Sequence, residues 1–148
     1  MNYWFECKVS YERQADSMGM KKVSESYLVD ALSFTEAEER IIKEVSPFVS
    51  VGELEVVNIR RARIAELFLN EEPEDDRYYR AKVNFITIDE KSGSEKKTSA
   101  TMIVKSDSLP NAVTELKAQL DGQMATYEIA AITDTQILDV YRYEAPQQ

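Results

Sequence analysis

Histidine is absent from this chain. With it go the imidazole of a nucleophilic relay, histidine-containing zinc sites and the commonest general base near neutral pH. Only four glycines are present, and no phosphate-cradling loop can be built from them. A single cysteine, Cys7, forbids an internal disulfide and points to the reducing cytosol. No apolar run approaches a membrane span and no signal peptide is legible, so the expectation is a cytoplasmic protein without membrane contact. Positive charge is scarce as well. Lys and Arg number 18 against 27 Asp and Glu, a net charge of −9. That balance argues against a general nucleic-acid binder, whose affinity comes from neutralising phosphates.

What is present is a pattern stated twice. Residues 3–70 and 77–144 match at an offset of 73 to 75 positions. Trp4-Phe5-Glu6-Cys7-Lys8-Val9-Ser10-Tyr11 aligns with Tyr78-Tyr79-Arg80-Ala81-Lys82-Val83-Asn84-Phe85, and Gly19 with Gly93. Lys21-Lys22-Val23-Ser24 aligns with Lys96-Lys97-Thr98-Ser99, Leu28-Val29 with Ile103-Val104, and Ser33 with Ser108. Later, Glu55-Val56 aligns with Glu128-Ile129, and Ile64 to Phe68 with Ile137 to Tyr141. Hydrophobic class is kept while identity is not, which is the mark of a shared core pattern.

Each copy reads as β-β-α-β-β. In the first strand Tyr3, Phe5, Cys7, Val9 and Tyr11 take one face, and Trp4, Glu6, Lys8, Ser10 and Glu12 the other. A hairpin returns around Val23 to Val29. Its turn is Asp16 to Gly19 in the first copy and Asp89 to Glu95 in the second. Ser33-Phe34-Thr35-Glu36 fits a capping box, and Pro110, aligned with Thr35, is tolerated only in a first helical turn. Ala37, Ile41 and Val45 mark the buried stripe of the first helix; Ala112, Leu116 and Leu120 mark the second. Pro47 should stop the first helix and Gly122 should serve as a C′ residue for the second. Strands Leu54 to Ile59 and Ile64 to Phe68 close the first copy; Tyr127 to Ile132 and Ile137 to Tyr143 close the second.

The expected fold class is therefore α+β, with mainly antiparallel sheet. The expected organisation is a first repeat over 1–70, an acidic linker over 71–76, and a second repeat with a short tail over 77–148. A copy of about 70 residues is marginal by itself, so the two are expected to form one pseudo-two-fold unit. Unpaired strand edges would allow homo-oligomers.

Chemistry-bearing residues are few. Cys7 falls on the apolar face of the first strand and reads as a small buried hydrophobe rather than a nucleophile. The carboxylates of Asn70 to Asp76 read as a solvated linker, so no metal and no cofactor is expected. Arg60-Arg61-Ala62-Arg63 stands out because its counterpart, Thr133-Asp134-Thr135-Gln136, carries no positive charge. Three guanidiniums at one turn form a fork for phosphate or carboxylate; the plainer reading pairs them with nearby glutamates. Trp4 and Tyr78 are aligned, as are Lys8 and Lys82, on the polar face of the first strands. An aromatic beside a lysine can stack a base and hold its phosphate; the plainer reading has the rings packed and the lysines solvated. Lys21-Lys22 and Lys96-Lys97 read first as edge protection.

The runs Trp4 to Tyr11, Tyr27 to Glu38 and Phe85 to Gly93 resemble an uncharacterised family of small proteins from Bacteroidetes and their phages. The resemblance spans most of the chain and carries no assigned activity. It implies a cytosolic accessory protein, phage-encoded in that context, which binds a host protein, a nucleic acid or a nucleotide signal without turning it over. The first functional expectation is accordingly a non-catalytic binding protein for an anionic ligand, a nucleotide or single-stranded nucleic acid. Its site would be Arg60, Arg61, Arg63, Lys8, Lys82, Trp4 and Tyr78. The alternative is an acidic interaction module for a host protein.

Overall fold

The computed structural model describes residues 3–15 and 19–142. In chain order the elements are β1 (Tyr3–Ala15), β2 (Gly19–Ala31), α1 (Phe34–Val45), a 3-10 turn (Ser46–Phe48), β3 (Val51–Ala62) and β4 (Glu66–Phe68). Then follow β5 (Arg77–Ile88), β6 (Glu95–Ser106), α2 (Leu109–Asp121), β7 (Tyr127–Asp134) and β8 (Ile137–Tyr141). The class is α+β, with two four-stranded sheets and two helices. Neither helix is long and apolar enough to cross a membrane.

The strands do not group by chain half. One sheet has the order β3-β1-β2-β8 and the other β4-β6-β5-β7. Each sheet thus takes its fourth strand from the other half of the sequence. β8 runs parallel to β2, and β4 runs parallel to β6. The compact units follow this exchange: residues up to Arg63 with those from Gln136 onward, and Ile64–Thr135. Their boundaries differ from the 1–70 and 77–148 division read from the sequence. The remaining strand pairs are antiparallel.

In the first unit, β1 and β2 pair from Tyr3↔Ala31 to Ala15↔Gly19. Alternation sends Phe5, Cys7, Val9 and Tyr11 into a core shared with Tyr27, Val29, Ala31, Ala37, Ile41 and Val45. Between Lys8 and Val9 the β3 partner steps from Asn58 to Val56, so Val57 bulges and is half exposed. Helix α1 begins where the Ser33 hydroxyl accepts the Glu36 amide at 3.1 Å. It buries every fourth residue, and Arg40 ties it to β2 through Asp30 at 2.6 Å. The regular helix ends at Val45, and Pro47 lies in the 3-10 turn that follows. Of the expected Asp16 to Gly19 turn only Gly19 is described, at φ +77. The tail from Ala145 also lies outside the described residues.

The second unit buries Tyr79, Ala81, Val83, Met102, Val104, Ala112, Leu116 and Leu120. Its bulge sits at the aligned place: from Lys82 to Val83 the β7 partner steps from Ala131 to Ile129. The β5–β6 turn is closed by the Gly93 amide on the Asp89 carbonyl at 2.7 Å, with Gly93 at φ +71. The Asp89 carboxylate also accepts the Lys91 amide at 3.0 Å. Ser108 caps α2 and Pro110 is its second residue. Gly122 departs from expectation. It occupies the C-cap at φ −72, a right-handed conformation, so the helix does not end through a left-handed glycine.

Candidate functional site

The arginine cluster is not a turn. Strand β3 continues through Arg60 and Arg61 because both pair with β1, Arg60 opposite Glu6 and Arg61 opposite Phe5. Successive strand residues point to opposite faces, so these two guanidiniums diverge. Arg60 closes on Glu6, with Nη2 at 2.6 Å and Nε at 3.1 Å from the same carboxylate oxygen. The Arg61 guanidinium lies over the Tyr3 ring, 3.9 Å from its centroid. Arg63 follows the strand and is exposed. The expected three-pronged fork is therefore absent, and two of its members already have partners within the protein.

Trp4, Lys8 and Arg60 do share the sheet face turned away from α1, with Glu6 between them. Trp4 is half-buried and Lys8 exposed. Tyr78 and Lys82 hold the corresponding positions in the second unit. Tyr78 is only 5% exposed, and that leaves no open ring face for a base. Cys7 is fully buried, and burial, aided by the charge of Glu6, pushes its thiol up to about 12.

Two concavities, both in the first unit, lie outside what the sequence pattern implies. One, of about 420 Å³, is lined by Tyr11, Arg13, Glu25, Tyr27, Phe48, Leu138, Asp139 and Tyr141. Strands β1, β2 and β8 and the 3-10 turn all contribute. The Tyr27 and Tyr141 rings stack at 5.5 Å, and the Tyr27 hydroxyl donates to Glu25 at 3.1 Å. Burial raises the phenol of Tyr27, and Glu25 adds to the shift. Burial, with the charges of Asp139, Glu44 and Glu25, takes Tyr141 to about 12. Tyr11 is also raised, by burial first and then by its hydrogen bond to Glu25. All three phenols are neutral at physiological pH, so they donate and accept without carrying charge. The alternating pattern places Tyr11 in an apolar stripe and gives no reason to bring β8 beside β2.

The other concavity, of about 350 Å³, runs between α1 and β3 and is lined by Phe34, Thr35, Glu38, Val56, Val57, Asn58 and Ile59. β3 is an edge of its sheet, so its outer side carries no strand of that sheet. Phe34 is 54% exposed although its ring packs edge-to-face with Phe5, their centroids 4.9 Å apart. Glu38 of α1 is the one acidic residue that lines this concavity; Glu55, opposite Ser10 and paired with Lys22 at 3.7 Å, lies on the sheet face turned away from α1.

A family model described as a domain of unknown function, DUF4494, matches residues 3–143. No curated protein and no solved structure matches the chain.

Proposed function

The chain belongs to the DUF4494 family, and on that premise we propose a non-catalytic interaction module that takes an extended, basic and apolar segment of a partner protein along β3. One observation carries this reading: a free sheet edge borders a groove in which Phe34, Val56 and Val57 lie beside the Glu38 carboxylate. Main-chain pairing to an edge strand supplies affinity, and alternate side chains entering the groove supply specificity. The net charge of −9 steers a basic partner toward the surface.

The test is an NMR titration with an alternating Lys–Val peptide and its Glu–Val counterpart. The Lys–Val peptide should shift amides over Val51–Ala62. Replacing Val57 by Lys should weaken binding about tenfold by placing a positive charge in the groove. Equal shifts from the acidic peptide, or none from the basic one, would remove the reading.

A second reading is supported by Lys8 and Arg63, which are exposed and form no ion pair among the described residues. On this reading an anionic ligand, a nucleotide or single-stranded nucleic acid, binds them beside Trp4. Exchanging Lys8 and Arg63 together for Ala should then abolish binding without lowering the melting temperature. Under either reading the protein is a cytosolic accessory factor, in a phage or mobile-element setting. Its two β-β-α-β-β series are copies of one ancestral unit.

A further inference from the structure

The two sheets permit an internal comparison that isolates what folding alone requires. In the first unit Tyr27 pairs with Asp139 and Val29 with Tyr141. In the second, Met102 pairs with Glu66 and Val104 with Phe68. Tyr27 thus occupies the register position of Met102, and Tyr141 that of Phe68. On the first strands, Tyr11 stands where the second unit has Phe85. Met102 is buried in the second core, and Phe68 and Phe85 pack against it, all without a hydroxyl. The scaffold is therefore filled adequately by Phe, Met and Phe. The first unit instead places three hydroxyl-bearing rings there, and all three line one cavity.

The charges differ in the same direction. Glu25 holds the place of Ala100, and Glu44 that of Gln119. Glu25 and Asp139 line the cavity opposite a single cation, Arg13. Burial raises the tyrosines around it first, and the charges of Glu25, Asp139 and Glu44 add to the shifts, so acidic side chains lie near the phenols. Arg13 opposes this only at Tyr11. Phe48 offers a further ring, 64% exposed, at the wall formed by the 3-10 turn.

We propose that this cavity binds a small organic ammonium cation, held against the rings of Phe48 and the half-buried Tyr141, beside the phenol oxygens of Tyr11 and Tyr27, with Glu25 and Asp139 as counter-charges. Aromatic faces attract such cations through the ring quadrupole, and a quaternary ammonium sheds water more readily than a metal ion. The volume of about 420 Å³ lies within the usual range for small-ligand sites. Neutral phenols suit this role: they add dipoles but no competing charge. The site is separate from the β3 edge and stands whether or not a peptide binds there.

The probe is choline, set against 3,3-dimethyl-1-butanol, its uncharged carbon isostere, with binding read by NMR shifts and calorimetry on the full chain. Choline should shift Tyr11, Glu25, Tyr27 and Tyr141 and bind about tenfold more tightly than the isostere, the factor that cation–π and carboxylate attraction together supply. Glu25→Gln should remove most of that preference. Because Glu25 is half-buried, Phe48→Ala provides a second variant at an exposed position, and it should weaken choline severalfold while the spectrum stays folded. Equal affinity for the isostere would overturn the proposal, as would no saturable choline binding at about 10 mM, a concentration well above even a weak site's dissociation constant. Shifts confined to another surface, or unchanged choline binding in Phe48→Ala, would overturn it as well.

Discussion

Tyr141 lies in the second half of the sequence but packs against the core built by the first. Phe68 lies in the first half but packs against the second core. Truncating each to alanine should therefore loosen the hairpin of the opposite half. Cutting a fully buried aromatic to alanine costs about 3–5 kcal/mol, so a half-buried ring should lose about 2 kcal/mol. Tyr141 also stacks on Tyr27 at 5.5 Å, and loss of that pair adds about 0.5–1 kcal/mol. Tyr141→Ala should then lower amide protection in β1 and β2 by about 60- to 150-fold, and Phe68→Ala that in β5 and β6 by about 30-fold. Hydrogen exchange followed by mass spectrometry resolves these strands by peptide. The strand exchange would be refuted if Tyr141→Ala accelerated β5 and β6 while β1 and β2 kept their protection.

Three further outcomes follow from the same geometry. Arg60→Ala should cost no more than about 1 kcal/mol in denaturant melts, because the Arg60 side chain is 61% exposed and such pairs are screened. A larger loss would mean that the pair is structural. Stability should fall in alkali. Tyr11, Tyr27 and Tyr141 are held above an unfolded tyrosine near pH 10, so the unfolded chain gives up these protons first. Their stabilisation is whole below about pH 10 and is lost as pH rises toward 12, and an unfolding free energy flat from pH 9 to 12 would contradict the shifts. Cys7, fully buried with its thiol pushed up to about 12, should react with a maleimide only on unfolding; prompt labelling of the native protein would show that β1 opens independently.

Features set by a residue's nearest neighbours are legible in the amino-acid sequence. The alternation of Phe5, Cys7, Val9 and Tyr11 names the buried face because a strand has period two wherever it docks. Ser33 and Ser108 start helices because a hydroxyl satisfies an orphan amide whatever the tertiary context. Partner choice is different. Ile64 to Phe68 and Ile137 to Tyr141 carry the same pattern, so neither segment says which hairpin it will join. Only three residues of the first form β4, too few to encode a preference.

The arginines mislead for a related reason. A polar run after Ile59 resembles the end of a strand, yet polarity marks exposure and not termination. Glu6 and the Tyr3 ring across the ladder receive the charges that would otherwise have favoured a turn. The tyrosine cavity is hidden because a phenol ring satisfies an apolar pattern as well as a phenyl ring does. Its signal is a difference between the two units at matched register, Tyr11 for Phe85, Tyr27 for Met102 and Tyr141 for Phe68. Alignment of the halves can expose that difference, but only the pairing of β8 with β2 brings the third ring to the other two. A site assembled across an exchanged strand is thus written in single residues that pass for ordinary core, because the pattern they satisfy is the same whichever sheet the strand joins.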